Sequence, residues 1–180
     1  MNYFEALKYG TLTLQSNNIK TFNLDSELIL SEALNLTREQ ILINQKKKIK
    51  KEDFDAYKNL LDRRKNNEPI AYIIKKKEFW RYSFIVSKDV LIPRPETEQI
   101  VEEVFKYTGL STSKHVLDIG TGSGCIIISI LKERPKFHCT AIDISKKALK
   151  VAISNAKMHH LRNKIKFINI DIDKLYIKKY

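Results

Sequence analysis

The chain has 180 residues, is 43% hydrophobic and 30% charged, and carries a formal net charge of +12 at pH 7. This length and composition exclude a disordered chain and allow one medium core, or a small helical core plus part of a larger one. No apolar run approaches the roughly 20 residues that span a bilayer, and residues 1–10 lack a basic start and a small-residue cleavage site, so a cytoplasmic protein is expected.

The basic charge raises the question of nucleic acid, because clustered lysine neutralises phosphate. The basic residues are 26 Lys against 7 Arg, however, and Lys46-Lys47-Lys48-Ile49-Lys50-Lys51 and Lys75-Lys76-Lys77 lack aromatics or Arg forks for base contacts. Solvated faces are the reading, with an acidic partner such as ribosome-bound RNA left open and nucleic acid otherwise expected to be met only indirectly. Cys125 and Cys139 have no spacing that suggests a disulfide framework or metal site, and are expected to be buried and inert.

Over residues 2–67 apolar side chains recur at helical spacing, as in Phe4 and Leu7, Leu24, Leu28 and Ile29, and Phe54, Tyr57, Leu60 and Leu61. A small helical bundle is predicted, with a capping box at Thr37-Arg38-Glu39-Gln40. Its last helix starts near Lys51 and ends before Pro69, which cannot continue it. Residues 70–92 turn β-branched and aromatic, predicting a hairpin that links the bundle to a second core. From Pro93 the pattern alternates: helix over 96–107, strand over 115–119, helix over 126–133, strand over 137–142, helix over 146–160 and strand over 165–170. This order implies an α/β domain with a mainly parallel sheet, incomplete because three strands do not make a doubly wound sheet.

The strongest motif is Val116-Leu117-Asp118-Ile119-Gly120-Thr121-Gly122-Ser123-Gly124, a strand running into a turn with glycine at every second position and then a helix. Glycines there admit unusual dihedrals and let backbone approach a ligand, while the helix start aims free N–H groups at it. Asp118 would hydrogen-bond the turn or a ligand ammonium. Asp143, in Ala141-Ile142-Asp143-Ile144-Ser145, ends the next strand, where a carboxylate can accept both hydroxyls of a ribose; the competing reading is a helix N-cap. Asp171 and Ile172 follow the third strand and could flank an adenine, or form only a solvated turn.

Together, these motifs resemble those of class I S-adenosylmethionine-dependent methyltransferases. Pro69-Ile70-Ala71-Tyr72-Ile73, Glu78-Phe79-Trp80 and Leu91-Ile92-Pro93-Arg94-Pro95-Glu96-Thr97-Glu98, with Arg63-Arg64 before that first proline, narrow the resemblance to the release-factor glutamine-N5 methyltransferases. The resemblance implies residues 1–69 as a helical substrate-recognition domain, 70–92 as a hairpin linker, and 93–180 as part of a Rossmann-like domain. It implies S-adenosylmethionine held by Asp118, Gly120, Thr121, Gly122, Ser123, Gly124, Asp143, Asp171 and Ile172, with Arg94, Glu96 and Thr97 near its methionine end. No metal is implied. The implied partners are release factors, not a membrane, and the complete enzyme would be a monomer.

Two departures stand out. The family often has glycine where Lys75 stands and another near Arg81. Its Asn-Pro-Pro-Tyr sequence, which holds the target amide, does not occur in these 180 residues, so the chain is expected to stop short of it, to carry no catalytic residue and to be inactive alone. Two other readings stay open: a nucleic-acid adenine N6-methyltransferase, and a non-catalytic remnant that binds cofactor or release factor.

Overall fold

The computed structural model describes residues 1–110 and 112–174 and divides at Ile74/Lys75 into two compact units. The first is helical: α1 (Tyr3–Gln15), α2 (Phe22–Leu34), α3 (Arg38–Ile43), α4 (Lys51–Lys65) and a short α5 (Ile70–Ile73). The capping box at α3 forms, with the Thr37 side chain accepting from the Gln40 N–H and the Gln40 side chain from the Thr37 N–H. Its core gathers Ala6, Leu14, Ile29, Leu30, Tyr57 and Leu61. Gly10 is a packing necessity, since a Cβ there would lie 1.8 Å from the Tyr57 hydroxyl, which is bonded to Ser26 Oγ at 2.7 Å.

The adjacent arginines of this unit have separate partners. Arg63 forms a fork on Glu68, whereas Arg64 reaches across to the buried Asp25 at 2.7 Å and donates to the Glu68 carbonyl.

Residues 70–73 depart from the predicted strand. Their β-branched composition favours extended backbone, but the Pro69 carbonyl accepts from the N–H of Tyr72 and Ile73, and Ile73 is buried in the helical core. Burial overrides local propensity. The hairpin is therefore confined to β1 (Lys76–Phe79) and β2 (Tyr82–Ile85), paired antiparallel.

Lys75, at the position where the resembled family often has glycine, has φ 53°, and Trp80, the first residue of the two-residue hairpin turn, has φ 59°. A side chain in the left-handed region costs roughly 1–2 kcal/mol, part of which glycine returns as backbone entropy on unfolding. Lys75→Gly should therefore raise the unfolding free energy by about 0.5–1 kcal/mol, measured by urea titration. A loss of stability would show that the lysine side chain contributes more than its backbone costs.

Beyond the hairpin, a 3-10 turn (Pro95–Thr97) leads into α6 (Glu98–Lys106), so the helix predicted from residue 96 opens with tighter winding over its first turn. Then come β3 (His115–Ile119), α7 (Cys125–Glu133), β4 (His138–Asp143), α8 (Lys146–Met158) and β5 (Ile165–Asn169). The three strands are parallel in the order β3-β4-β5, with Ile119 opposite Ile142 and Asp143 opposite Asn169. This register brings the carboxyl ends of the three strands to one edge of the sheet. The core combines α7, α8 and strand residues with Phe79 and Phe84 of the hairpin.

Candidate functional site

The turn that follows β3 is held by the neighbouring strand. The N–H groups of Gly120 and Thr121 both donate to the Ile142 carbonyl, at 2.9 and 3.0 Å, and Gly124 N–H closes the turn on the Thr121 carbonyl. Gly120, Gly122 and Gly124 have φ of 72°, 55° and 78°, a region that favours glycine. The two outer glycines serve different ends. A Cβ at Gly124 would press on Ile128 and Ala152 at 3.1 and 3.2 Å, so this glycine lets α7 and α8 approach. A Cβ at Gly120 would meet nothing within 4 Å, so the backbone there faces open space.

Asp143 joins turn and strand end. Its Oδ2 accepts the Gly122 N–H at 2.9 Å and its Oδ1 the Ser145 N–H at 2.8 Å. The N-cap of α8 is Ser145, whose hydroxyl accepts from the Ala148 N–H, so the capping role considered for Asp143 belongs to its neighbour. With two of its lone pairs engaged by backbone, the Asp143 carboxylate keeps acceptor capacity on both oxygens.

Asp118 accepts from the Thr121 hydroxyl at 2.7 Å. Burial holds its carboxyl above the ordinary carboxylate range, the Thr121 hydroxyl opposes this, and the charge of Asp143 adds to it. A cation placed beside Asp118 would oppose that rise, because opposite charge favours the ionised form. Ile119 and Ile144, next to Asp118 and Asp143 in the chain, and Ile172, which follows β5, are 49%, 71% and 52% exposed.

The other sequence-derived residues are less closely drawn in. Asp171 is half-buried and its Oδ1 accepts the Asp173 N–H, which starts a short 3-10 turn containing Ile172. Arg94 and Glu96 are exposed and Thr97 is half-buried. Glu98, the next residue, takes a defined place, with its Oε1 accepting the Trp80 N–H at 2.7 Å.

Three supporting residues escaped the sequence reading. Glu133 accepts from both the Trp80 indole and the Tyr82 hydroxyl, at 3.2 and 3.1 Å. Asn169 donates to the carbonyls of Asp143 and Ile144. Asn155 bonds Ile85 and Ser123. Their partners are distant in sequence, so no local signal marks them. Burial pushes the Cys125 thiol up to about 11 and that of Cys139 to about 12, so neither is a thiolate at neutral pH. Among the described residues no group of three His, Cys, Asp or Glu could hold a metal ion, and no helix is long and apolar enough to cross a membrane.

Residues 5–74 match the family model of the PrmC N-terminal domain, and residues 110–179 that of a methyltransferase domain. The release factor glutamine methyltransferase of Leptospira interrogans is 40% identical over 151 residues, covering 83% of this chain and 53% of that one. The enzyme of the same name from Coxiella burnetii is 40% identical over 144 residues, covering 80% and 52%. This chain belongs to the release factor glutamine methyltransferase family. A Rickettsia bellii protein named bifunctional methyltransferase is 35% identical over 189 residues, covering 91% of this chain and 34% of that one. The chain thus spans about half the length of the two release factor enzymes it matches. Within the family match, the alternating-glycine turn and Asp143 both fall inside the methyltransferase segment.

Proposed function

We propose that this chain supplies the S-adenosylmethionine-binding part of an enzyme that methylates the glutamine side-chain amide in the Gly-Gly-Gln loop of peptide chain release factors. The observation that carries the reading is the bridge from Asp143 to Gly122, which sets an open glycine turn and a carboxylate together at the ends of two parallel strands. Ligands of open α/β sheets lie in this crevice. Open space at Gly120 and the exposed isoleucines fit a ligand with a flat apolar ring and polar hydroxyls.

In this reading Asp143 accepts the ribose hydroxyls while staying bonded to Gly122. Asp118 faces the ammonium end, and Asp171 and Ile172 flank the adenine. Arg94, Glu96 and Thr97 line the methionine end. When bound, S-adenosylmethionine supplies a methyl group on a sulfonium, the electrophile for an amide nitrogen. That nitrogen is a poor nucleophile because its lone pair is delocalised, so orientation is the main demand on the protein. No residue of these 180 is assigned that task. Residues 1–69, the larger part of the helical unit, meet the release factor, an encounter that belongs to the cytoplasm; residues 70–92 lead from there to the methyltransferase part, and nucleic acid is met only indirectly.

The test is a purified release factor treated with labelled S-adenosylmethionine and a form of the enzyme that includes the Asn-Pro-Pro-Tyr segment, with the methyl group mapped by mass spectrometry. The expected site is the glutamine of the Gly-Gly-Gln loop. Methyl found on DNA or RNA, with none on the factor, would transfer the assignment to an adenine N6-methyltransferase.

A further inference from the structure

A buried asparagine outside the glycine and aspartate motifs ties the candidate cofactor turn to the hairpin. Asn155 lies on α8 and is 0% exposed. Its Oδ1 accepts the Ile85 N–H at 2.6 Å, and its Nδ2 donates to the carbonyl of Ile85 at 2.9 Å and to that of Ser123 at 2.8 Å. A side-chain amide has two donor hydrogens, and both are spent here on backbone carbonyls. Ile85 ends β2, so the amide pairs with this residue as another strand would. Ser123 is buried between two glycines of the turn, so its carbonyl depends on a protein donor.

We propose that Asn155 is a positioning residue for the cofactor turn and couples docking of the β1-β2 hairpin to cofactor affinity. The turn is gripped at two points by side chains from different elements. Asp143 of β4 accepts its Gly122 N–H, and Asn155 of α8 donates to its Ser123 carbonyl. Releasing the second grip leaves the turn to be ordered when ligand arrives, and that ordering subtracts from affinity. By linkage, whatever the hairpin does for the cofactor the cofactor must do for the hairpin. The proposal rests on the S-adenosylmethionine reading above.

Asn155→Asp tests it because the replacement is nearly isosteric but, when ionised, has no donor and faces two carbonyls. S-adenosylmethionine affinity is measured by calorimetry for wild type and Asn155→Asp from pH 5 to 8, with thermal unfolding recorded alongside. At pH 8 the variant should bind about tenfold more weakly or worse, the loss of one buried hydrogen bond. The ratio of the two dissociation constants should shrink toward acid, because a protonated carboxyl regains a donor. Asp118, Asp143 and His159, which holds the Ser83 carbonyl one turn further on at the end of α8, are common to both proteins, so their contributions cancel in that ratio. A folded variant whose ratio stays near one at every pH, even with a lower unfolding midpoint, overturns the proposal and makes Asn155 a stabilising residue only.

Should Asn155→Asp not fold, hydrogen exchange of the wild type decides. Saturating S-adenosylmethionine should slow exchange at the Ile85 amide by about fivefold or more, beyond any change in residues 1–74. No slowing at Ile85 overturns the coupling. Absence of any binding by the wild type would overturn the cofactor reading itself, and the wild-type titration reports that separately.

Discussion

Asp143→Ala should weaken S-adenosylmethionine binding by roughly ten- to hundredfold, corresponding to about 1.5–3 kcal/mol for a lost charged acceptor. The expected loss has two sources. One is the acceptor capacity offered to ribose hydroxyls. The other is the turn, because Asp143 Oδ2 holds the Gly122 N–H and Oδ1 the Ser145 N–H. Asp143→Asn should not restore binding, since a side-chain amide has one acceptor oxygen and would set its NH2 group against one of those N–H donors. Ser145→Ala is the useful control. It removes the N-cap of α8, at about 1 kcal/mol of stability, while leaving the Asp143 carboxylate in place. Calorimetric titration of the three variants separates the cases. An unchanged dissociation constant in a folded Asp143→Ala protein would reduce Asp143 to a brace between two loops.

Arg64→Ala should destabilise the helical unit by about 3–5 kcal/mol, because it leaves the Asp25 carboxylate buried without its ionic partner. Asp25 is 2% exposed, and without the guanidinium it keeps the Thr21 hydroxyl, a donor that carries no charge. Arg63→Ala, one residue away, should cost less, about 1–2 kcal/mol, since the Arg63 side chain is 38% exposed and Glu68 14%, so solvent reaches this pair more than it reaches Asp25. Urea unfolding of the two variants provides the comparison. Equal losses would mean that the half-buried fork contributes as much as the fully buried pair, and that the burial of Asp25 adds nothing. Replacing Asp25 and Arg64 together with apolar residues should recover much of the Arg64→Ala loss, because no lone buried charge then remains.

Nearly every helix and strand was legible where a local signal coincided with burial. Strand residues 115–119 were read from a short apolar run before glycine, and the capping box of α3 from four consecutive residues. The reading failed at residues 70–73, whose isoleucines suggest a strand but pack as a helical turn into the bundle. Pro69 marked the end of α4 correctly, but its carbonyl also starts α5, a consequence of long-range burial that composition does not carry.

The sequence by itself determined the chemistry on offer: three alternating glycines after a strand, a carboxylate ending the next strand, and an Arg-Arg pair before a proline. These are local patterns, fixed by backbone dihedrals and chain spacing. Tertiary structure decided what each residue holds. Asp143 proves to be a bond between turn and strand while Ser145 caps the helix, Arg64 and not Arg63 reaches the buried carboxylate, and Asn155 joins Ile85 to Ser123 across 70 and 32 residues of chain. The physical reason is that a buried polar group must find a partner wherever the fold provides one, and sequence distance sets no limit on where that is.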